Sequence, residues 1–216
     1  MANVEHLCCP AHLAQTAQYA KWAPGALQGF QALAGGAFAE GALSVREKEI
    51  IAFGCAHVLR CPYCIDYHHD LATKAGATRA ELVEALWVAI AVAAHAPFAH
   101  AALALRLLDG ERPEDYYRSG GSHAGLEAET PDALRGYESL QGAAFADGAL
   151  AAPFKTLVAV ACAHDVRCAL SIERYVKQAL AEGATRERIA EAVFVAIEMA
   201  AGATLGHAGL AAALMA

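Results

Sequence analysis

The chain has 216 residues, a length that fits one large domain or two small ones. Hydrophobic residues make up 57% of the chain and charged residues 18%, which favours a compact globule over a disordered chain. The formal net charge is −7, and the sequence contains no basic run or aromatic-basic stripe, so we expect no nucleic-acid partner.

Residues 1–28 form a predicted N-terminal extension. Its start, MANVEHLCCPAH, lacks the basic residues and apolar stretch of a signal peptide, so we expect a cytoplasmic protein whose thiols are reduced by default. The cluster His6, Cys8, Cys9 and His12 could bind a metal or supply a resolving thiol; a flexible terminus is the other interpretation.

The first predicted helical unit spans residues 29–107. Helix-start signals recur within it, namely capping-box pairs at Ser44/Glu47 and Thr78/Glu81 and a proline directly after Cys61. Gly76 is a predicted helix stop, and Pro97 is a predicted start of a further helix. The uncharged run 85–105 is long enough to cross a bilayer, but its histidines and Pro97 favour two buried helices and no membrane partner.

The rest of the chain repeats this unit. Residues 108–135 are interpreted as a linker and the start of the second copy, whose main part is 136–216. At an offset of 107 residues, about 34 of 77 positions are identical without a gap. The helix signals recur as well, with Pro131 after Thr130, Gly183 as a stop and Thr185 as a cap. Because no segment alternates like a strand, we predict an all-α fold, a duplicated helical bundle with two pseudo-symmetrically packed repeats.

Differences between the copies indicate where the chemistry lies. The first copy carries Glu49, Cys61, Cys64 and His68, where the second carries Thr156, Cys168, Ser171 and Tyr175. We infer that the first copy is active and that the second mainly supports it. Cysteines and histidines shared by both copies are interpreted as structural: Cys55, Cys162, His57, His164, His100 and His207.

The motif C-P-Y-C-I-D-Y-H can perform thiol redox chemistry. Cys61, Cys64 and His68 share one helix face. Cys61 lies at the predicted helix N-terminus, which favours a thiolate, and Cys64 is within reach of His68. A thiolate can attack a peroxide, an imidazole can take and return protons, and the other thiol can close a disulfide. Glu49 shares a stripe with Phe53 and His57, so we expect it to point inward and to orient an imidazole.

This pattern resembles the catalytic motif of alkylhydroperoxidase D, in the superfamily that also contains carboxymuconolactone decarboxylase. The resemblance lies in Glu49, twelve residues to Cys61, the C-x-x-C pair and His68, and in the AGAT-containing helix from Ala75 onward. It implies that Cys64 is the peroxidatic thiol, that Cys61 resolves it, and that Glu49 and His68 form a proton relay. The family often has a histidine between the cysteines, where this chain has Tyr63.

The function predicted from these residues is reduction of organic hydroperoxides, with no cofactor or metal and a thiol reductant such as a lipoyl protein or thioredoxin-like donor. One alternative is a carboxymuconolactone-decarboxylase-type lyase, which does not depend on the cysteine pair. Another is a non-catalytic metal-binding protein that uses Cys61, Cys64 and His68, with Glu49 or His57 as fourth ligand. The alanine-rich helix surface predicts a homo-oligomer, either a trimer or a dimer.

Overall fold

The structure, a computed structural model, describes residues 10–110 and 124–215. His6, Cys8 and Cys9 of the N-terminal cluster lie outside the described residues, and so does the side chain of His12. The described residues form helices and no strands, which confirms the predicted all-α class. The helices are α1 (Pro10–Trp22), α2 (Pro24–Ala37), α3 (Val45–Val58), α4 (Pro62–Lys74), α5 (Arg79–Leu108), α6 (Ala124–Glu129), α7 (Pro131–Phe145), α8 (Ala152–Asp165), α9 (Ala169–Ala181) and α10 (Arg186–Leu214).

The internal repeat is also a structural repeat. Helices α2 to α5 recur as α7 to α10, and their bounds agree with the offset of 107 residues to within one residue. The first copy's opening helix begins at Pro24 and the second copy's at Pro131, so each copy starts with a helix before the segments 29–107 and 136–216 that the repeat defined. The duplicated bundle is confirmed.

Local signals set most helix ends as the sequence predicts. Both capping boxes form, with Ser44 accepting a hydrogen bond from the Glu47 amide and Thr78 accepting one from the Glu81 amide. The stop at Gly76 has a φ of 91°, which glycine adopts without strain. Helix α7 begins at Pro131, as the Thr130–Pro131 pair predicts, although the Thr130 hydroxyl donates to the Leu126 carbonyl and does not cap the helix.

The predicted break at Pro97 is wrong. Helix α5 runs without interruption from Arg79 to Leu108 with Pro97 inside it. A proline in a helix interior forfeits one backbone hydrogen bond and costs about 3 kcal/mol. The helix continues because residues on both sides of the proline pack into the protein, among them the buried His95 and Ala102.

Helices α3 and α8 form the centre of the molecule. Nine consecutive residues in each, 48–56 and 155–163, are buried, so these helices are covered on every face. They approach closely, since a Cβ added at Gly54 would lie 3.0 Å from Cγ1 of Val158. The predicted structural cysteines Cys55 and Cys162 are both fully buried in this core.

Each copy holds a loop of the other through a buried lysine and a glutamate. Lys48 forms an ion pair of 2.9 Å with Glu191. The carboxylate of Glu191 also accepts hydrogen bonds from the backbone N–H groups of Ala42 and Leu43. The second copy mirrors this arrangement with Lys155 at 2.9 Å from Glu84. Burial disfavours ionisation of Glu191, but its N–H donors and Lys48 outweigh that effect and lower its pKa.

Helices α5 and α10 leave apolar side chains exposed at equivalent positions, namely Trp87 and Ile90 on α5 and Phe194 and Ile197 on α10. The run 85–105 is therefore only partly buried. Both helices are long and apolar enough to span a membrane by length and composition alone, but core helices of other proteins pass the same test. The oligomer that the sequence predicts could bury this exposed row, and it stays a prediction.

We expect Glu191→Gln to lower the free energy of unfolding by about 1–3 kcal/mol, because it leaves the Lys48 ammonium buried without its counter-ion. Urea unfolding followed by circular dichroism measures the change, and Glu84→Gln should give a similar loss. Glu173→Gln is the control, because Glu173 pairs with Lys177 on the exposed surface of α9. Equal effects of Glu191→Gln and Glu173→Gln would contradict the structural role assigned to Glu191.

A second stability prediction concerns Asp165, at the end of α8. Burial raises the pKa of Asp165 to about 7, although a hydrogen bond from Cys55 and the charge of Arg167 oppose the shift. The folded state therefore holds this proton more tightly than the unfolded chain, whose Asp pKa is about 3.8. This contribution to stability is complete below the unfolded pKa and is lost as the pH rises through about 7.

We expect Asp165→Asn to gain stability relative to the wild type between pH 5 and 8, by more than about 1 kcal/mol at the upper end. Urea unfolding at several pH values measures the difference. Glu138→Gln is the control for the removal of one carboxyl group, because Glu138 is exposed. A difference between Asp165→Asn and wild type that does not change with pH would exclude a proton on Asp165.

Candidate active site

A tight turn between α3 and α4 positions the cysteine motif. Leu59 ends α3, and Arg60 adopts a left-handed conformation with a φ of 55°. The amide of Cys61 then donates to the carbonyl of Ala56 at 3.2 Å, and the amide of Arg60 to that of His57 at 3.1 Å. This turn folds α4 back against α3, which places the motif beside Glu49.

Cys61 and Cys64 lie in the first turn of α4, as the sequence predicts. Cys61 is the N-cap residue, and its sulfur accepts a hydrogen bond of 3.2 Å from the Cys64 amide. The structure joins the two sulfurs in a disulfide, with the Cα atoms 5.2 Å apart. Because the N–H groups of a helix N-terminus carry partial positive charge, this position stabilises a thiolate once the disulfide is reduced.

Glu49 and His68 form a buried hydrogen-bonded pair next to the disulfide. Oε2 of Glu49 lies 2.8 Å from Nδ1 of His68, and the two residues are 5% and 7% exposed. The imidazole stacks on Phe38 with ring centroids 5.6 Å apart and meets the edge of Tyr67 at 5.2 Å. Since Nδ1 is bonded to Glu49, Nε2 is the ring nitrogen that remains to exchange protons.

A cavity of about 220 Å³ opens onto this site. Cys64 and His68 line it, whereas Cys61 does not and is fully buried. The remaining lining side chains come from α1, α2, α4 and α10: Thr16, Phe30, Ala34, Tyr63, Tyr67, Glu198, Met199, Gly202, Ala203, Leu205 and Gly206. The cavity therefore lies between the two copies, with mostly apolar walls and a polar end at Cys64 and His68.

The second copy supplies one polar group that the sequence reasoning missed as a site residue. Glu198 of α10 is 7% exposed and lines the cavity. Burial raises the pKa of Glu198, while the charge of His68 opposes the shift and that of Glu49 adds to it. The repeat carried a usable signal, because Glu198 stands in an otherwise uncharged apolar run where the first copy has Ala91.

Glycines in α10 make room for the site. A Cβ added at Gly206 would lie 3.2 Å from Cδ1 of Tyr63, and one at Gly202 would lie 3.4 Å from Oε1 of Glu198. Burial, Tyr67 and Asp66 raise the pKa of Tyr63, so the phenol keeps its proton at neutral pH.

The equivalent region of the second copy is filled by side chains. Tyr175 replaces His68 and stacks on Phe145 at 5.6 Å, as His68 stacks on Phe38 in the first copy. His95 replaces Gly202, and its Nδ1 lies 2.9 Å from the hydroxyl of Tyr137. The thiol pair, its relay and the open space beside them thus occur together in the first copy.

Three of the four shared histidines bond to their own helix, which fits the structural role that the sequence predicts. His57, His164 and His207 each bond through Nδ1 to the carbonyl four residues earlier, at 2.7, 2.8 and 2.7 Å. His100 instead places Nε2 at 3.3 Å from the sulfur of Cys168, which caps α9. In the described parts of the chain, no group of three His, Cys, Asp or Glu side chains is arranged to hold a metal ion.

Comparison with known proteins assigns the family. The sequence model of the carboxymuconolactone decarboxylase family matches this chain twice, at residues 24–107 and at residues 131–214. The chain belongs to the carboxymuconolactone decarboxylase family. It contains two tandem family domains, each of which begins at the first helix of one structural copy, α2 or α7.

Two proteins of other bacteria match part of this chain. A protein of Paracoccus denitrificans, described as uncharacterized protein 4 in cox locus, is 48% identical over 80 residues, 37% of this chain and 72% of the relative. An uncharacterized protein of Cupriavidus necator is 39% identical over 72 residues, 33% of this chain and 64% of the relative.

A solved structure from Burkholderia xenovorans LB400, provisionally described as a gamma-carboxymuconolactone decarboxylase subunit, superposes with a TM-score of 0.70. That match covers 93% of this chain and 90% of the other, at 20% sequence identity, and it shows that the fold is shared.

The Glu49–His68 pair generates a prediction about thiol reactivity. We expect Glu49→Gln to slow alkylation of reduced Cys64 by iodoacetamide about 10- to 100-fold, because a neutral amide cannot stabilise the imidazolium that accepts the thiol proton. Alkylation is followed by mass spectrometry. Thr156→Val, which alters the equivalent position of the second copy, is the matched control and should leave the rate unchanged. Equal rates for wild type and Glu49→Gln would remove Glu49 from the relay.

Proposed function

We propose that this chain is a thiol-dependent peroxidase that reduces organic hydroperoxides through a cycle of Cys61 and Cys64. The observation that carries the proposal is the position of the cysteine pair at a helix N-terminus, beside the buried Glu49–His68 pair and at the end of a cavity. A lyase of this family would not need two cysteines in bonding contact. A cycle that opens and closes an intramolecular disulfide does need them.

The proposed reaction has two steps at the thiols. The Cys64 thiol passes its proton to His68, and the thiolate attacks the terminal oxygen of the hydroperoxide. The O–O bond breaks, Cys64 becomes a sulfenic acid, and the alkoxide leaves and takes up a proton. The Cys61 thiol then attacks the sulfenic sulfur, which forms the disulfide and releases water.

Accessibility favours Cys64 as the attacking thiol. Cys64 lines the cavity and is 4% exposed, whereas Cys61 is 0% exposed and lies behind it. A peroxide that enters the cavity therefore reaches Cys64 first. The family resemblance assigns the same roles. Tyr63, which replaces the histidine often found between the cysteines, adds an aromatic wall to the cavity.

The proposed electron donor is a dithiol that fits into the cavity. The disulfide is buried, so a reductant has to reach it through a space of about 220 Å³. A lipoyl group on an extended arm satisfies this requirement more easily than a folded thioredoxin-like domain. In either case the donor dithiol is oxidised to a disulfide, and Cys61 and Cys64 return to thiols.

Trapping experiments test the cycle. When reduced wild-type protein is treated with tert-butyl hydroperoxide, we expect mass spectrometry to find a Cys61–Cys64 disulfide. Cys61→Ser should accumulate a sulfenic acid on Cys64 that dimedone traps, and Cys64→Ser should lose peroxide consumption by at least about 10²-fold. Cys168→Ser is the matched control, because Cys168 caps the equivalent helix of the second copy.

Two results would overturn the peroxidase proposal. One is a cysteine pair that stays reduced in wild-type protein under excess hydroperoxide. The other is full turnover of a carboxymuconolactone substrate by Cys64→Ser, which would assign the chain to the lyase activity after which the family is named.

A further inference from the structure

Glu198 is the one carboxylate among the described residues that line the cavity. It comes from α10 of the second copy, whereas Cys64 and His68 come from α4 of the first. Its Oε2 atom is buried and has no hydrogen-bond partner among the described residues. A buried polar atom left in this state costs about 1–3 kcal/mol, so its retention requires an explanation outside stability.

The two copies differ at this position in a way that follows the thiol chemistry. The residue equivalent to Glu198 is Ala91, which is fully buried and has no titratable group. Gly202 leaves space next to the carboxyl group of Glu198. The residue equivalent to Gly202 is His95, which fills the corresponding space in the region around Tyr137. Of these two equivalent regions, the one beside the cysteine pair therefore has the carboxyl group and the adjoining open space.

The surroundings of Glu198 favour its protonated form. The titratable groups that face the cavity with it are Cys64, His68, Tyr63 and Tyr67 from α4, and Glu49 lies behind His68. The α2 side chains Phe30 and Ala34 contribute no charge. With burial and Glu49 both disfavouring the carboxylate, Glu198 can hold a proton and release it when a negative charge develops in the cavity.

We propose that Glu198 is the general acid of the site and donates the proton that the alkoxide needs when the Cys64 thiolate cleaves an organic hydroperoxide. This inference rests on the proposed peroxidase function and adds a catalytic residue to it. His68 holds the proton taken from Cys64 while Glu198 protonates the leaving oxygen, which produces the alcohol. Glu198 then recovers its proton from the imidazolium of His68, so the proton count closes in each turnover.

The proposal makes the need for Glu198 depend on the leaving group. A hydroperoxide releases an alkoxide, a strong base that requires a proton as the O–O bond breaks. A peroxy acid releases a carboxylate, a weak base that leaves without one. The two oxidants use the same thiolate and the same His68, so comparing them isolates proton donation to the leaving group.

The experiment uses full-length protein, reduced and freed of reductant, and follows formation of the Cys61–Cys64 disulfide by rapid quench, alkylation and mass spectrometry. We expect Glu198→Gln to lower the rate constant with tert-butyl hydroperoxide about 10²-fold or more and to leave the rate constant with peracetic acid essentially unchanged. Glu198→Ala, which copies the residue at the equivalent position, should give the same selective loss.

The matched control is Glu191→Gln, which removes a carboxylate on the same helix that pairs with Lys48 outside the cavity. It should be less stable and should react with both oxidants at wild-type rates. Glu198→Gln should melt close to the wild-type temperature, because it replaces a protonated, neutral carboxyl group by a neutral amide of similar size.

The outcomes separate this inference from the proposed function. If reduced wild-type protein forms no disulfide with either oxidant, the peroxidase proposal fails and the role of Glu198 fails with it. If wild type reacts and Glu198→Gln lowers the rate constants with both oxidants equally, or lowers neither, the peroxidase proposal stands and Glu198 is not its general acid.

Discussion

The close packing of α3 against α8 is the constraint on which the rest of this molecule depends. Both helices are buried over nine consecutive residues, and they touch where Gly54 meets Val158. Helices covered on every side must be surrounded by the others, so α4, α5, α9 and α10 are arranged around this pair. The ion pairs of Lys48 with Glu191 and of Lys155 with Glu84 also join the two copies. Each copy therefore depends on the other to complete its packing.

This arrangement explains why two similar copies give one candidate site. Packing about a pseudo-symmetric centre places α4 of one copy against α10 of the other, and α9 of the second copy occupies the corresponding place beside α5 of the first. Each of these two contacts, α4 with α10 and α9 with α5, forms one half of the pseudo-symmetric arrangement. In one half, the thiols and His68 face Glu198 and Gly202; in the other, Tyr175 and His95 occupy the space. The second copy is therefore both a scaffold and a wall of the cavity.

Two pairs of polar side chains in the interior satisfy each other but have different surroundings. Lys48 and Glu191 satisfy each other and nearby backbone groups, and the fold depends on their contacts. Glu49 and His68 also satisfy each other, but they do so beside a cavity and a thiol pair. Buried polar groups that are fully bonded fit either a structural or a catalytic role, and their surroundings decide between the two.

The sequence by itself determined the helices and the motif, because these depend on short-range chemistry. Capping boxes, Gly76 and the proline after Cys61 act within a few residues, and the gapless repeat predicts the same helices for the second copy. The stripe that Glu49 shares with Phe53 and His57 predicted a buried carboxylate, and the family resemblance implied His68 as its partner. Pro97 was misjudged because burial on both sides of it outweighs a local preference.

Only the tertiary structure decided which groups from the other copy reach the motif. Glu198 lies more than a hundred residues from Cys64 in the chain, and Gly202 and Gly206 differ from their counterparts without any local signal of their role. Their positions follow from how α10 crosses α4, which is set by the packing of the whole core. A sequence specifies such contacts through the shapes of many side chains at once, so the repeat could mark Glu198 as unusual but could not show that it reaches the cysteine motif.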